Sequence, residues 1–486
     1  MKLFTSDEIR RVENNLILSG VSVDTLIERA GKGLADAVGD ARRVAVVVGG
    51  GNNGADGISA TFNLIDRKIL VDVYTLGDIK SEYTISNLPR LKSMGVTVVD
   101  LDECESLGGY DIVIDCIFGI GLSRAVEGIY AIGINRINSE SKRVISADIP
   151  SGVSADTGRV LSHAVVADIT VSFSGGKVGY FLGDAIDHVG DIVYVDTDIF
   201  GEIAVAELID SVTFSKRRKN THKGNYGRVS IISGCPNYVG AGILASTSAK
   251  ASMRAGAGLV KQVVPYSMRE TYASHALEQT LDFLTDSQGW IVFDKDKLDD
   301  IIANSTVIAI GMGLGNTHEV QKTVDYLIQN APTLVLDADA LNAIVGRLDV
   351  LKKGRRVVIT PHLGEFSRLI GKPIKDIDLI EDARAFATTY GVTVHLKSAT
   401  SITVDESGAV QITANGTPAL AKGGSGDVLS GVIASFVAQN IPNAVASASF
   451  IHGEAGRLAS VKFGEYGVLA GDLPDKIAQA ILKYTV

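Results

Sequence analysis

Cysteine, proline and positive charge are all scarce in this sequence. The three cysteines, Cys104, Cys116 and Cys235, are too few and odd in number for a disulfide framework. They also lack the paired spacing of a zinc site. A reducing compartment follows, and the cytoplasm is the expected location. Ten prolines stand against 52 aperiodic glycines, which excludes collagen-like and low-complexity chains. No apolar run approaches the ~18 residues of a membrane span. The opening MKLFTSDEIRRVENN lacks the apolar stretch of a signal peptide. With 46 Lys and Arg against 56 Asp and Glu, the net charge is −10. That argues against a broad polyanion-binding face, so neither nucleic acid nor membrane is an expected partner. Phosphates can still sit in local backbone nests.

What the chain has is apolar residues and glycine. Hydrophobic residues make up 46% and charged residues 21%, the balance of a globular protein. At roughly 100–200 residues per domain, the 486 residues allow two to four domains. Thr5 and Ser6 precede Asp7 and Glu8 as at a helix start, and Leu26, Ile27, Ala30, Leu34 and Val38 recur at helical spacing. From RRVAVVVGGGNNGADGISA onward, short β-branched runs end in polar or Gly-rich turns: ILVDVYTLG, VTVVDL, DIVIDCIFGIG, KRVISADIPSG and ADITVSF. Helical segments such as SEYTISNLPRLKSMG lie between several of them. The alternation predicts an α/β protein, with a mostly parallel sheet and helices on both faces. A second such series starts at GRVSIISG, after the basic run Lys216, Arg217, Arg218 and Lys219, which reads as a solvated linker. Two domains are expected, 1–212 and 213–486.

The loop Gly49-Gly50-Gly51-Asn52-Asn53-Gly54-Ala55-Asp56-Gly57 follows a strand and opens a helix. It contains GxGxxG, and Asp72 stands about 20 residues on, where a dinucleotide fold has its ribose-binding acid. A tight strand-to-helix turn would explain the glycines but not Asn52, Asn53 and Asp56. Backbone N–H groups at the helix start suit phosphate, and the side-chain oxygens suit a hydroxyl, an amide or a cation. Asp115 precedes the loop Gly119 to Arg124, and Asp148 and Ser151 stand in SADIPSGVSADTG. In a parallel sheet these strand ends open on one edge, the usual ligand crevice. Asn53, Asp115 and Ser151 could form an all-oxygen site for a hard cation, although each alone could be a cap or turn residue.

Together GNNGADG, DCIFGIGLSR, ADIPSGVSADTG and SFSGGKVGY resemble the NAD(P)H-hydrate epimerase domain, whose loop normally reads GNNGGDG. Ala55 replaces the fourth glycine, a departure that touches backbone geometry more than chemistry. The resemblance implies a Rossmann-like domain with substrate contacts at Asn52, Asn53, Gly54, Ala55 and Asp56, at Gly119, Ile120, Gly121, Leu122 and Ser123, and at Asp148. It implies potassium (K+) at Asn53, Asp115 and Ser151, and makes Asp148 the acid/base nearest the reacting ring carbon. Inverting a hydroxyl-bearing carbon needs a transient sp² centre, so a positioned proton carrier is expected. Lys177 matches the family as well; it would support the substrate's phosphates, or else be a surface lysine.

The sharpest element of the second half is Gly423-Gly424-Ser425-Gly426-Asp427. The glycines allow a tight anion nest, and a helix starting near Asp427 aims its N–H groups at the same point. Asp427 could cap that helix. It could instead take a proton from a substrate hydroxyl while the nest neutralises phosphoryl charge. GMGLG, LDADALN (Asp337, Asp339, Asn342), TPHLGE (His362, Glu365) and LKSATSITV are further strand-end motifs; KSAT also reads as a plain hairpin turn. Tyr238, Gly240 and Ala241 mark the first strand-to-helix junction.

HKGNYGRV, NYVGAGILASTSAKASMRAGAGLV, GMGLG, LDADALN, TPHLGE, LKSATSITV and AKGGSGDVLSG occur in the order of the ADP/ATP-dependent NAD(P)H-hydrate dehydratases, a ribokinase-like family. The whole chain thus resembles the bifunctional NAD(P)H-hydrate repair enzymes. The implied hydrate contacts are Ala241, Gly313, Gly315, His362 and Asp427, with Asp427 as catalytic base. The implied nucleotide contacts are Lys397, Ser398, Ala399, Thr400, Ser401 and Gly426. ADP or ATP with Mg2+ is the implied cofactor, NADH hydrate and NADPH hydrate the substrates, and a homo-oligomer is expected. That family often has Thr at Ser425 and a less basic residue at Lys422, which could add a phosphate contact. The rival readings are a small-molecule kinase fused to a ligand-binding Rossmann-like module, and a non-catalytic first half that organises oligomers. An NAD dehydrogenase would have no use for Asn52, Asn53 and Asp56.

Overall fold

The computed structural model describes residues 1–173, 175–197 and 201–486; Ser174 of the SFSGGKVGY segment lies outside them. The chain divides into two compact units, Met1–Glu207 and Leu208–Val486. Among the described residues no helix is long and apolar enough to cross a membrane.

The first unit is built on a seven-stranded sheet. Its order is Thr97–Asp100, Leu70–Thr75, Arg43–Val48, Ile112–Cys116, Val144–Ala147, Ile169–Ser172 and Asp191–Tyr194. Every neighbouring pair is parallel. Such a sheet must be covered on both faces, and the strand RVAVVV has the residues for it. Val44, Val46 and Val48 point to one face, with Leu34, Ile58 and Leu64 from the helices Val23–Val38 and Asn52–Asp66. Ala45 and Val47 point to the other, with Ile134 and Ile137 from the helix Ile129–Glu140. Each such fully buried valine or isoleucine contributes roughly 1.5–3 kcal/mol. Strand order reverses between Arg43–Val48 and Ile112–Cys116, and the crevice beyond the carboxyl ends of those strands is where a ligand fits.

The second unit repeats the order of that sheet. It runs Thr280–Leu284, Leu259–Pro265, Arg228–Ile232, Val307–Ile310, Leu334–Leu336, Val357–Ile359 and Thr393–Leu396, all parallel. Two antiparallel strands, Ser401–Val404 and Val410–Thr413, extend it through a hairpin. The helix Ser425–Ala438 is buried over nearly its whole length. It can approach the helix Val239–Arg254 so closely because Gly431 has no side chain: a Cβ there would lie 2.2 Å from the Ser248 carbonyl oxygen.

Several of the helices that support the sheets are capped by a side chain in the ordinary way. Thr5, Ser22, Ser81, Asp294 and Thr317 each accept a backbone N–H from the first turn of their helix. The helices Asn52–Asp66 and Ser425–Ala438 begin after Gly51 and Gly424 with no side-chain cap; Ser425 gives its N–H to the Lys422 carbonyl at 3.3 Å, and no side chain covers the other first-turn N–H groups.

Candidate active sites

In the first unit a cavity of ≈ 750 Å³ opens over the sheet's switch point. Asn52, Asn53, Asp56, Gly119 to Ser123 and Asp148 line it, as the sequence leads one to expect. Gly54 and Ala55 do not. They lie buried in the first turn of the helix, and Ala55 donates its N–H to the Gly51 carbonyl at 3.3 Å. The helix accommodates an alanine here without unusual backbone. Asp72 is in mid-strand and away from the cavity: it accepts from the Tyr110 hydroxyl at 2.7 Å and from Arg43 at 3.2 Å.

Asp148 stands just past the strand Val144–Ala147 with φ 69°, a left-handed conformation that its N–H bond to Val171 O (2.8 Å) helps to hold. Its carboxylate is gripped from two sides. Lys177 Nζ lies 2.8 Å from Oδ1, and the Ile120 N–H donates to Oδ2 at 2.9 Å. A Cβ on Gly119 would come within 2.7 Å of Asp148 Oδ2 and 3.3 Å of Asn53 Oδ1, so glycine is needed for these two side chains to flank the loop. Lys177 is neither a surface lysine nor turned to a phosphate: it is fully buried, with Ser172 Oγ at 3.2 Å and the Tyr180 ring beneath it. Burial opposes its charge, but Asp148 outweighs burial and the lysine holds its proton more tightly than usual. Tyr180 donates to the Asp148 carbonyl.

Asp115 and Ser151 sit behind the cavity wall. The register pairs Asp115 with Ser146, whose hydroxyl donates to Oδ2 at 2.8 Å. Ser151 donates its N–H to Oδ2 (2.9 Å) and its hydroxyl to Oδ1 (2.6 Å), and accepts from the Phe118 N–H at 2.8 Å. Ser151 is therefore a carboxylate partner, not a helix cap. Burial pushes the Asp115 carboxyl up, against these hydrogen bonds, and among the described residues it has no ion pair. Asn53 is buried with neither side-chain polar atom bonded. Asp115 and Ser151 are brought together and Asn53 adds an orphaned buried amide, an oxygen chemistry that suits a hard cation. Among the described residues no group of three or more His, Cys, Asp or Glu could hold a metal.

Two carboxyl groups of this cavity depart from ordinary behaviour. Asp56 is pushed well up, by burial first and then by Asp148 and Glu13. Glu13 is pushed up to about 7 by burial, then by Asp148. Sequence reading passes over Glu13 because an acid on an amphipathic helix looks solvated; its i+3 spacing from Arg10, on the face that meets the cavity, is the signal that could have found it.

In the second unit the turn Gly423–Gly424 delivers the chain into its buried helix. Gly424 has φ 88°, and a Cβ on it would meet Leu244 at 2.9 Å. Asp427 makes no capping bond; Gly424 is the cap position. Burial, then Asp337, push the Asp427 carboxyl up to about 7, with Lys397 opposing. Lys397 is engaged elsewhere: its Nζ lies 2.7 Å from Asp337 Oδ1, while Ser430 donates to Oδ2 at 2.6 Å. For Asp337 burial is the largest influence, yet Lys397 and the hydroxyl together hold its carboxyl below the usual range.

The other expected contacts are spread about this turn. Gly426 faces Lys397, whose Nζ would lie 3.3 Å from a Cβ on it. Lys397 to Thr400 form the tip of a β-hairpin, with Ser398 and Ala399 exposed and Thr400 and Ser401 buried. His362 caps the helix Leu363–Ile370 through a capping box with Glu365, and it forms a bridge to Lys397. Gly313 and Ala241 touch: a Cβ on Gly313 would be 2.8 Å from that of Ala241. Gly315 lines a cavity of ≈ 530 Å³ with Tyr238, Trp290, Asp339, Asn342 and Arg368. The Gly315 N–H donates to Asp339 Oδ2 at 2.8 Å. Trp290, the single tryptophan, carries no motif and was not legible as a site residue. Lys422 is exposed and donates to the Tyr466 carbonyl at 2.5 Å.

Comparison with known proteins adds the following. The family model described as NAD(P)H-hydrate dehydratase matches residues 229–479, and that described as YjeF-related protein N-terminus matches residues 23–179. The bifunctional NAD(P)H-hydrate repair enzyme Nnr of Thermofilum pendens is 32% identical, over 99% of this chain and 96% of its own. The enzyme of the same name from Dictyoglomus turgidum is 32% identical over 97% of each chain. Among solved structures, a ribokinase-like superfamily protein from Enterococcus faecalis V583 covers 58% of this chain and 98% of its own, at 24% identity and TM-score 0.50. That likeness concerns the fold of the second unit.

Proposed function

Because the chain belongs to the family of bifunctional NAD(P)H-hydrate repair enzymes, we propose that its first unit interconverts the R and S epimers of hydrated NADH and NADPH, and that its second unit dehydrates the S epimer with ADP or ATP. The chain is an NAD(P)H-hydrate epimerase and NAD(P)H-hydrate dehydratase in one. The kinase reading gives way, since the model matched over residues 229–479 is a dehydratase.

The observation that carries the dehydratase reading is Asp427. It has no capping duty, its proton affinity is raised to about 7, and it stands at an uncapped helix start beside a glycine turn. Hydroxide is a poor leaving group, so the ring hydroxyl is first phosphorylated. Asp427 takes the hydroxyl proton, the oxygen attacks the terminal phosphorus of the nucleotide, and the bridging phosphorus–oxygen bond breaks, so that AMP leaves from ADP or ADP from ATP. Phosphate then leaves with the carbon–oxygen electron pair as the neighbouring ring carbon loses a proton, which restores the double bond. The N–H groups that follow Ser425 at the helix start suit the phosphates. Mg2+ would travel with the nucleotide. Lys397 to Ser401 and Gly426 are the proposed nucleotide contacts, and Ala241, Gly313, Gly315 and His362 the proposed hydrate contacts.

In the first unit Asp148, paired with Lys177 at the cavity wall, is the proposed proton carrier. Asn52 to Asp56 and Gly119 to Ser123 would hold the substrate. Potassium, held by Asn53, Asp115 and Ser151, would supply fixed positive charge. Only one hydroxyl epimer can point at Asp427, which gives the first unit its purpose.

The test mixes both epimers of hydrated NADH with ADP and Mg2+ and follows the return of reduced-nicotinamide absorbance. Both epimers should be recovered in full. Recovery of neither, with or without ATP in place of ADP, would overturn the reading. Repeating the assay with each nucleotide and with hydrated NADPH reads out the preferences.

A further inference from the structure

Glu13 is a cavity-lining carboxylic acid to which the mechanism above gives no task. It lies on the helix Ser6–Leu18, where Arg10, Glu13, Asn14 and Ile17 form one face and line the cavity. That helix is pinned at its start, where Ser6 gives its N–H and its hydroxyl to Asp156, each at 2.6 Å. One turn on, Arg10 donates to the Ile120 carbonyl at 2.9 Å, and the Ile120 N–H in turn holds Asp148 Oδ2 at 2.9 Å. A single loop residue therefore ties the helix face that carries Glu13 to the proposed proton carrier.

The charge balance of the cavity points the same way. Glu13, Asp56 and Asp148 all line it, and the one buried lysine is taken by Asp148. Asp78, Lys80 and Arg124 also line the cavity but are exposed; the three inner carboxylates have only Lys177, taken by Asp148, and Arg10 near them, which disfavours full ionisation. A proton is therefore favoured on the side away from Lys177. Burial and then Asp148 push Glu13 up to about 7, while Lys177 and Arg10 pull the other way. Asp56 is also pushed up, but it stands in the first turn of the helix Asn52–Asp66, whereas Glu13 is on the helix face tied through Ile120 to Asp148.

We propose that Glu13 is the proton donor that works opposite Asp148 in epimerisation, a role that rests on the epimerase reading of this unit. Water adds to the ring double bond at the carbon bonded to the ring nitrogen, so the hydroxyl-bearing carbon is a carbinolamine. Asp148 takes the hydroxyl proton. The carbon–nitrogen bond breaks, its electron pair goes to nitrogen, and Glu13 protonates that nitrogen. The carbon is now a planar aldehyde and can rotate. On closure the nitrogen attacks its other face and returns its proton to Glu13, while the oxygen takes its proton back from Asp148. Atoms and charges balance, and nothing is consumed.

The experiment measures interconversion of purified R and S hydrated NADH by the full chain across pH, for wild type, E13Q, E13D and D148N. Wild-type kcat should fall as pH rises through about 7, where Glu13 gives up its proton to a cavity that also holds Asp148, Asp56, Lys177 and Arg10. E13Q should lose about 10²–10⁴-fold in kcat and lose that pH limb, with KM little changed. E13D should keep a limb and recover part of the rate. Urea unfolding of the first unit, set against wild type, reports that each variant is folded, and dehydration of the S epimer serves as the control for the second unit. E13Q with wild-type kcat, or with reduced kcat and the limb intact, overturns the proposal. If E13Q does not fold, the same decision falls to E13D, whose wild-type kcat and limb would overturn it. Wild type that fails to interconvert the epimers sinks the epimerase reading itself, whereas active wild type, inactive D148N and unaffected E13Q sink only the role of Glu13.

Discussion

The two units share one strand order and treat their key aspartate in opposite ways. In the first, Lys177 pairs directly with Asp148 at 2.8 Å. In the second, Lys397 pairs with Asp337 at 2.7 Å, and Asp427 is left beside that pair with its proton affinity raised to about 7. The same residue types, aspartate and buried lysine, thus give a lysine-paired aspartate in one unit and, in the other, an aspartate left off the pair with raised proton affinity. What differs is which carboxylate the lysine is allowed to reach, so the chemistry of such a site is set by pairing and not by composition.

The largest effect that would break this comparison is loss of either aspartate. Asp427→Asn should reduce recovery of both epimers by about 10²–10⁴-fold, because both leave through dehydration. Asp148→Asn should slow recovery of the R epimer alone. Absorbance recovery from each purified epimer checks both, and equal effects on the two epimers in both variants would erase the division of labour. Next in size is Lys177→Met. It strands a buried carboxylate and should lower the stability of the first unit by roughly 3–5 kcal/mol, measured by urea unfolding. A much smaller loss would mean that the pair contributes little.

A smaller effect separates the loops. Gly119→Ala forces a Cβ to within 2.7 Å of Asp148 Oδ2 and should cost about 1–3 kcal/mol, read as lost epimerase activity and stability. Gly426→Ala meets only the flexible end of Lys397 at 3.3 Å and should cost less, read in dehydration. The smallest effect is that of pH on dehydration. A base must be unprotonated, so a carboxyl raised to about 7 should make the rate climb from pH 6 and level off above 8, about tenfold in all; a rate flat over this range would remove Asp427 as the titrating base.

Much of the fold was legible because its signals are local. RVAVVV followed by glycine reads as a buried strand and a turn whatever the rest of the chain does, and the structure has the strand at Arg43–Val48 and the helix from Asn52. The cavity loops were legible for the same reason. What the sequence hides is pairing across distance. Nothing local distinguishes Lys177 from a surface lysine, because its partner comes from another strand end. Glu13 looks solvated until the loop at Ile120 covers its helix. Lys397 looks available until Asp337 takes it, and Asp72 has a dinucleotide spacing but lies in mid-strand, bonded to Tyr110 and Arg43.

The left-handed backbone at Asp148, φ 69°, also limits what can replace it. That region is open to glycine, tolerated by asparagine and aspartate, and costs most other residues about 1–2 kcal/mol. Asparagine and glycine each lie one base change from an aspartate codon. Either change suits that backbone but leaves the fully buried Lys177 without its carboxylate, so it weakens the first unit as well as stopping inversion of the R epimer. A cell carrying one would still restore the S epimer and accumulate the R epimer, a fault that shows in the stability of the first unit as well as in its activity.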